Sequence, residues 1–270
     1  LCGHACVMKA SKYVVEVVNV GNELLDGRTV NTNLNWVCGR LSQLGYIVSR
    51  ATTVRDDLKD IASVLKESLK RRPAWIIVSG GLGPTHDDKT LQAVAKALGT
   101  RLVLYEDVVE KLRHRYLALY EKGLIKDPTL TRERLKMARL PAGSKPLNNA
   151  VGAAPGVLVE KAGTRIVCLP GVPKELMTIF DNELAPVLEK ESKGRGFLVQ
   201  SITVRDVVES RLAPLLVETM KKYPMVYLKS NPKGVENVSV VVVDFIAEKR
   251  HKDLLEQSIQ YFQERLKTLT

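Results

Sequence analysis

Apolar and polar residues alternate along the chain with two periods, and each period predicts one kind of element. Short runs rich in β-branched residues, such as residues 13–20 and 75–78, are typical of strands buried on both faces. Between such runs, apolar residues recur every three or four positions, which indicates amphipathic helices. Strands are predicted at residues 13–20, 46–54, 75–78 and 101–105, and helices at residues 32–45, 56–73 and 91–98.

Strand–helix units in series predict an α/β fold with a parallel sheet and right-handed crossovers. Thr32 is expected to cap the first long helix. The later part of this predicted domain contains charged helices at 107–123 and 129–139, a loop at 141–156, a hairpin of strands 157–160 and 164–169, and a helix at 174–188.

The pattern changes beyond residues 191–196, which have the composition of a linker. Strands are predicted at 197–204, 225–229 and 238–245, and helices at 207–222 and 249–269. This βαββα order is typical of a small α+β domain with an antiparallel sheet. The predicted organisation is therefore an N-terminal extension (1–11), an α/β domain (12–192) and a small α+β domain (196–270).

Composition adds constraints on the class of protein. Of the 270 residues, 45% are hydrophobic and 26% charged, as in ordinary globular proteins. No apolar run approaches the roughly 20 residues that span a bilayer, and the start of the chain lacks a secretory signal. The expected location is therefore the cytoplasm, with no membrane partner. Four cysteines at this length indicate no disulfide framework.

Two further features have alternative explanations. Cys2, His4 and Cys6 could ligate a metal, but no second ligand pair follows, so a frayed N-terminal extension is favoured. The net charge of +11 could indicate nucleic-acid binding, but the basic residues are spread through every predicted helix and only 5% of residues are aromatic. A charged, solvated surface that tolerates polyanionic small molecules such as nucleotides is the preferred interpretation.

The richest chemistry lies in residues 79–90, between a predicted strand and a predicted helix. Three glycines in this turn, Gly80, Gly81 and Gly83, allow backbone N–H groups to approach a phosphate, beside Thr85. Asp87 and Asp88 would repel a bare phosphate but would bind a divalent metal that bridges to it. The spacing is neither that of a Walker A loop nor that of a dinucleotide fingerprint. A tight turn capped by Asp87 or Thr85 is the structural alternative.

Other polar residues follow the neighbouring predicted strands. Glu23 and Asp56 fall at the carboxyl ends of strands, where open parallel sheets bind ligands. An acid at a helix start is also the commonest cap, so Asp56 and Asp57 have a structural explanation as well. Asn149 lies in a later loop, and a turn containing Gly171 and Pro173 leads into another helix.

These motifs occur in the order found in CinA-like proteins, which are related to the molybdopterin-binding domain of MogA, MoeA and gephyrin. The resemblance covers about residues 12–190. It rests on Gly21-x-Glu23-Leu24-Leu25, Thr53-Val54-x-Asp56, Gly80-Gly81-Leu82-Gly83-Pro84-Thr85-x-Asp87-Asp88, Asn149-x-x-Gly152-x-Ala154-Pro155-Gly156 and Pro170-Gly171-Val172-Pro173. Glu209-Ser210-x-Leu212-Ala213 and Lys229-Ser230-x-Pro232-Lys233-Gly234 resemble the short domain that follows in archaeal CinA-like proteins.

The resemblance implies a three-layer α/β/α domain, similar to enzymes that cleave the pyrophosphate of ADP-ribose or FAD with a divalent metal (Mg, Mn or Co). Two acidic positions that matter for catalysis in related enzymes fall here on Asp56 and Asp88. His86 stands where several relatives carry Lys. The C-terminal amidohydrolase domain of many bacterial CinA proteins is not expected, because the sequence ends at Thr270.

The sequence therefore predicts a metal-dependent hydrolase of a nucleotide pyrophosphate linkage of the ADP-ribose or FAD type. Asp88, Asp56 and Glu23 are the expected catalytic residues, and Asp88 and Asp87 the expected metal ligands. The expected substrate-binding residues are Gly80, Gly81, Gly83, Thr85, Asn149, Gly171 and Pro173. A molybdopterin-binding protein without pyrophosphatase activity is the alternative, and a nucleic-acid-associated competence factor is a third hypothesis. A homo-oligomer is expected.

Overall fold

The computed structural model of the protein describes residues 11–233 and 240–267. The Cys2, His4 and Cys6 hypothesis therefore lies outside the described residues. The chain divides into two compact units. The first takes the residues up to Leu41 together with Tyr46–Leu188, and the second takes Ser42–Gly45 and the residues from Glu189 onward. In the described ranges, no helix is both long enough and apolar enough to cross a bilayer.

Within the described residues, the first unit contains eight strands and eight α-helices. Its strands are β1 (Val14–Val20), β2 (Ile47–Val54), β3 (Trp75–Ser79), β4 (Leu102–Leu104), β5 (Arg139–Pro141), β6 (Lys145–Leu147), β7 (Gly156–Lys161) and β8 (Thr164–Leu169). Its helices are α1 (Asn22–Leu25), α2 (Thr32–Gln43), α3 (Leu58–Arg71), α4 (Thr90–Leu98), α5 (Glu106–Glu121), α6 (Arg132–Lys136), α7 (Pro173–Ile179) and α8 (Ala185–Ser192), the last of which extends past the division at Leu188.

A six-stranded sheet in the order β2-β1-β3-β8-β7-β6 forms the centre of this unit. Strands β2, β1, β3 and β8 are parallel, and β7 and β6 continue the sheet in antiparallel fashion. Val18, Ile76 and Val78 of the sheet belong to one buried cluster with Ile61 and Leu65 of α3. The predicted α/β fold with a parallel sheet is confirmed.

Two predictions about the middle of the chain are corrected. The strand predicted at 101–105 forms as β4, but it pairs with β5 in a separate two-stranded sheet. The helix predicted at 129–139 is wrong, because only α6 is helical there and Arg139–Pro141 is extended. Pro141 has no N–H for a helical hydrogen bond, whereas β4 offers the segment an antiparallel partner.

The single helix predicted at 174–188 is interrupted. A π-helical turn, Phe180–Leu184, separates α7 from α8. Pro186 stands at the second position of α8. Because proline lacks an N–H and clashes with the preceding turn, a continuous α-helix is disfavoured here. The wider turn keeps Phe180 and Leu184 buried.

The second unit has the predicted βαββα order. Its elements are β9 (Phe197–Arg205), α9 (Glu209–Lys222), β10 (Val226–Pro232), β11 (Val240–Glu248) and α10 (Lys252–Leu266). The sheet is antiparallel in the order β10-β11-β9. Phe245 of β11 and Phe262 of α10 meet edge to face in its core, with ring centroids 5.3 Å apart. The predicted small α+β domain is confirmed.

Candidate functional site

The turn between β3 and α4 needs glycine at two successive positions. Gly80 and Gly81 have φ values of 104° and 70°, which side chains rarely adopt. A Cβ on Gly80 would overlap the carbonyl oxygen of Val20, and one on Gly81 would overlap the Thr90 hydroxyl. That hydroxyl donates a hydrogen bond to the Gly80 carbonyl at 2.8 Å. The glycines therefore bring the turn against β1 and against the start of α4.

The same turn lies against the segment that follows β8. The Gly80 N–H donates to the Leu169 carbonyl at 2.9 Å. A Cβ on Gly171 would lie 3.5 Å from the Gly80 Cα, so the two turns are neighbours. Pro173 begins α7 directly after this second turn. The structure thus brings together the glycine turn and two residues predicted to bind substrate, Gly171 and Pro173.

Asp87 and Asp88 are held by Thr85. The Thr85 N–H donates to Asp88 Oδ2 at 2.8 Å, and the Thr85 hydroxyl lies 2.5 Å from the same oxygen. The hydroxyl also contacts Asp87 Oδ1, and this bond lowers the pKa of Asp87. Lys136 Nζ donates to the Thr85 carbonyl. Because one hydroxyl hydrogen serves two carboxylates, the Thr85 side chain is already engaged with the acids rather than turned to a ligand.

The capping alternative for this loop is not what the structure shows. Helix α4 begins at Thr90, and Lys89 occupies its cap position. Asp87 and Thr85 therefore lie before the helix start and make their bonds within the turn. Gly83 is also fitted to this arrangement, since a Cβ there would lie 2.6 Å from Asp88 Oδ2.

Asp56 is partly buried among other acids at the carboxyl end of β2. Its Oδ2 accepts the Asn22 N–H at 2.8 Å. Burial raises the pKa of Asp56, and the negative charges of Glu23, Asp87 and Asp88 raise it further. Asp56 is therefore within electrostatic reach of the other three acids named from the sequence.

The neighbouring acid, Asp57, has a different role. It caps α3, accepting the backbone N–H groups of Lys59 at 2.7 Å and Asp60 at 3.1 Å. The bonds from Asp60 and Lys59 lower the pKa of Asp57. Of the two adjacent acids, Asp57 is the N-cap of α3, whereas Asp56 interacts electrostatically with the other carboxylates.

Asn149 shapes its own loop. Its Nδ2 donates to the Ala154 carbonyl at 2.8 Å and to Glu175 Oε2 at 2.7 Å. Its Oδ1 accepts the N–H groups of Val151 at 3.2 Å and Gly152 at 2.8 Å. All the hydrogen-bonding positions of an amide side chain are thereby used. Its predicted contact with substrate stays a prediction.

A cavity of about 370 Å³ opens beside Asp88. Its walls include Gly83, Asp88, Tyr116, Ala153, Gly171 and Glu175. The Arg134 guanidinium stacks on the Tyr116 ring, with its carbon 4.0 Å from the ring centroid. The cavity therefore joins the glycine turn, the Asn149 loop and the turn after β8 around one space.

The acids fit a metal that is shared with a ligand. Among residues 11–233 and 240–267, no three or more His, Cys, Asp or Glu side chains form a metal-holding group. Magnesium-type ions are commonly held by one or two carboxylates, with phosphates and water completing the shell. Asp87 and Asp88 offer oxygen donors of this kind beside a glycine turn, so the residues fit such an ion.

Two asparagines at the start of α2, Asn31 and Asn33, were not predicted from the sequence to have a role. Asn31 caps α2, since its Oδ1 accepts the Leu34 N–H at 2.9 Å. The prediction that Thr32 is the cap is therefore wrong, because Thr32 is the first helical residue. Asn33 donates to the Gly171 carbonyl at 2.7 Å and so links α2 to the turn after β8. An Asn directly before a helical pattern was the available signal for the cap.

Comparison with known proteins places this architecture in a family. Residues 16–190 match the family described as a probable molybdopterin binding domain. A protein of Pyrococcus furiosus is 49% identical over 81% of this chain and 85% of its own length. A protein of Metallosphaera sedula is 42% identical over 95% of this chain and 94% of its own length.

A solved structure supports the same assignment. CinA from Thermoplasma acidophilum, a protein of unknown function, is 36% identical to this chain, with a TM-score of 0.59. The match covers 68% of this chain and 99% of that one. The chain therefore belongs to the family of probable molybdopterin binding domains and is a CinA-like member of it.

Proposed function

We propose that this protein is a metal-dependent hydrolase of a nucleotide pyrophosphate linkage of the ADP-ribose or FAD type. The observation that supports this most is the position of Asp56. Its pKa is raised by burial and by the charges of Glu23, Asp87 and Asp88, at the edge of the sheet that carries the glycine turn. Carboxyl groups with raised pKa values are typical of sites that transfer protons.

Each group has a role in this proposal. The backbone N–H groups of Gly81 and Gly83 bind a phosphate of the substrate. Gly80, whose N–H is taken by the Leu169 carbonyl, shapes the turn without donating to the ligand. Asp87 and Asp88 would hold the divalent ion, which would polarise a phosphoryl oxygen and lower the pKa of a water molecule. Asp56 accepts a proton from the attacking water, and Glu23 orients that water.

The bond changes are those of a hydrolysis. The water oxygen bonds to one phosphorus while the bridging P–O bond breaks, so that AMP and a second phosphate ester leave. Asn149, Gly171 and Pro173 line the remaining wall and contact the sugar or base. A cytoplasmic location and a homo-oligomeric state belong to this proposal as predictions from the sequence.

The second candidate is molybdopterin binding without hydrolysis. It is supported by the family match over residues 16–190. In this case the same glycine turn receives the phosphate of a pterin ligand. This candidate predicts that the protein binds adenylylated molybdopterin. It also predicts that no AMP is released from adenylylated molybdopterin, ADP-ribose or FAD.

Release of AMP from ADP-ribose and FAD, measured with Mg²⁺, Mn²⁺ and Co²⁺ in turn, tests the proposal. Asp88→Asn is expected to lower this activity at least about a hundredfold, a typical loss for a group that acts directly on the reaction. The Asn oxygen still accepts the Thr85 N–H, so the turn keeps its shape. Asp56→Asn is expected to have a similar effect.

Asp57→Asn is the matched control. It removes the same charge one position from Asp56, and Asn is as good a helix cap as Asp. This variant is expected to keep full activity. Full activity of Asp88→Asn would contradict the proposal, and equal losses in the Asp56 and Asp57 variants would show a general charge effect instead.

A further inference from the structure

A second cavity, of about 110 Å³, adjoins the carboxyl ends of the parallel strands. Its walls include Glu23, Val30, Asn31, Asn33, Ser79 and Gly171. Gly171 also lines the larger cavity beside Asp88, so this one residue belongs to both. Sites that enclose a whole small-molecule ligand usually measure roughly 300–1,000 Å³. The smaller cavity therefore suits one ring or one edge of a ligand.

Asn33, one of the wall residues of this cavity, has an unpaired acceptor. The residue is only 9% exposed, and its Nδ2 donates to the Gly171 carbonyl. This bond fixes the orientation of the amide, because a carbonyl oxygen accepts and cannot donate. Asn33 Oδ1 is left buried, without a hydrogen-bond partner among the described residues.

Asn31, another wall residue of this cavity, has an unpaired donor. Its Oδ1 is committed to the Leu34 N–H, which again fixes the orientation of the amide. Asn31 Nδ2 is buried and has no partner among the described residues. Buried polar atoms are nearly always hydrogen-bonded in folded proteins. A donor and an acceptor left open beside one cavity therefore indicate a polar ligand group.

We propose that Asn31 and Asn33 bind the hydrogen-bonding edge of a planar heterocycle, such as the lactam or amidine edge of a purine or a pterin. The ring presents an acceptor to Asn31 Nδ2 and a donor to Asn33 Oδ1. Val30, which is 82% exposed and also lines the cavity, supplies an apolar contact to the ring. The assignment of this ring as part of the substrate rests on the proposed hydrolase function, whereas its binding does not.

Calorimetric titration in metal-free buffer with EDTA tests this inference without hydrolysis. The probes are AMP, IMP, GMP and 6-hydroxymethylpterin, with ribose 5-phosphate as the probe that lacks a ring. Asn31→Ser keeps an oxygen that can cap α2 but removes the Nδ2 donor. This variant is expected to bind the preferred ring-bearing probe roughly three- to tenfold more weakly, the loss typical of one hydrogen bond. Its affinity for ribose 5-phosphate is expected to stay unchanged.

Asn35→Ser is the matched control, because Asn35 is an exposed residue of the same helix, one turn further on. It is expected to bind every probe like the wild type. Three results would overturn the inference: no ring-bearing probe binds the wild type at millimolar concentration, Asn31→Ser binds all of them normally, or it loses ribose 5-phosphate equally. The last two would mean that water satisfies the asparagines or that the cavity has lost its shape.

The outcomes separate this inference from the proposed function. If no pyrophosphate is hydrolysed but Asn31→Ser still weakens binding of a ring, the hydrolase proposal fails and this one stands. If AMP is released normally but Asn31→Ser binds every ring-bearing probe like the wild type, the hydrolase proposal stands and the proposed ring site fails. Preference for a nucleotide or for the pterin identifies the source of the ring.

Discussion

At the amino ends of the parallel strands Glu16 is buried with a partner, whereas at the carboxyl ends Asp56 is partly buried among other acids. Glu16 is 3% exposed, and both of its oxygens accept hydrogen bonds from Arg71 at 2.7 Å. Burial disfavours the charge of Glu16, but the bonds from Arg71 and Ser68 outweigh it and lower its pKa. The pKa of Asp56 is instead raised by burial and by neighbouring acids.

The difference separates stability from function within one sheet. The charge and both oxygens of Glu16 are satisfied by Arg71, a residue of the same unit. Glu16 therefore requires no ion or ligand. Asp56, whose neighbours are other acids, and the asparagine atoms that have no hydrogen-bond partner among the described residues are instead open to an ion or a ligand. The carboxyl ends of the strands therefore hold a charge and polar atoms that the fold leaves partly unsatisfied.

The largest expected effect comes from breaking the pair at the amino ends. Arg71→Met leaves Glu16 buried without a partner and is expected to lower the free energy of unfolding by about 3–5 kcal/mol at pH 7. Denaturant unfolding followed by tryptophan fluorescence measures this in the first unit alone, because both tryptophans, Trp36 and Trp75, lie there. Replacing the pair together, with Glu16→Leu and Arg71→Met, is the control and is expected to recover most of the loss.

The pH dependence follows from the direction of the pKa shift. Because the pKa of Glu16 is lowered in the fold, its contribution is fully present above the unfolded value of about 4.3. The contribution disappears as the pH falls through the lower, folded value. The gap between wild type and Arg71→Met should therefore narrow at acidic pH, and a gap that is constant from pH 7 to pH 3 would contradict this account.

A smaller effect is expected from the glycine turn. Gly80→Ala forces a side chain into a φ of 104° and against the Val20 carbonyl, which is expected to lower the free energy of unfolding by about 1–3 kcal/mol. Gly39→Ala is the matched control, since Gly39 lies within α2 with no atom within 4 Å of the new Cβ. That change is expected to stabilise the first unit by about 0.5–1 kcal/mol. Equal effects of the two substitutions would show that the turn is not constrained.

The smallest expected effect has the opposite sign. Asp56→Asn removes a carboxylate whose charge the fold disfavours and keeps an oxygen that accepts the Asn22 N–H. The gain in the free energy of unfolding at pH 7 is expected to be below about 1 kcal/mol, because the group is only partly buried and its charge is partly screened by solvent. Since the pKa of Asp56 is raised in the fold, the penalty is complete above that folded value and disappears as the pH falls through the unfolded value of about 3.9, so the gain should vanish by pH 3. A loss of stability at pH 7 would contradict the contrast with Glu16.

The sequence supports a prediction of the fold in outline and of the site in part. Valine-rich strands and helical spacing were sufficient for the parallel sheet, and strand ends were sufficient to group Glu23 and Asp56 with the glycine turn. The short helix α6 and strand β5 were missed, because their form depends on a pairing with β4 that no local pattern reveals. The sequence also does not reveal that Asn31 Nδ2 and Asn33 Oδ1 lack hydrogen-bond partners among the described residues, because the partners of a side chain are set only in the folded chain.

The pairing of β3 with β8 also has a consequence for the order of folding. Trp75 pairs with Arg165, 90 positions further along the chain. Closing so long a loop is costly in entropy, and sheets dominated by distant pairings form slowly. We therefore expect β1, β2 and β3 to associate before β8 joins them. Because Gly80 donates to Leu169 at the end of β8, the glycine turn gains its second wall only at this late step.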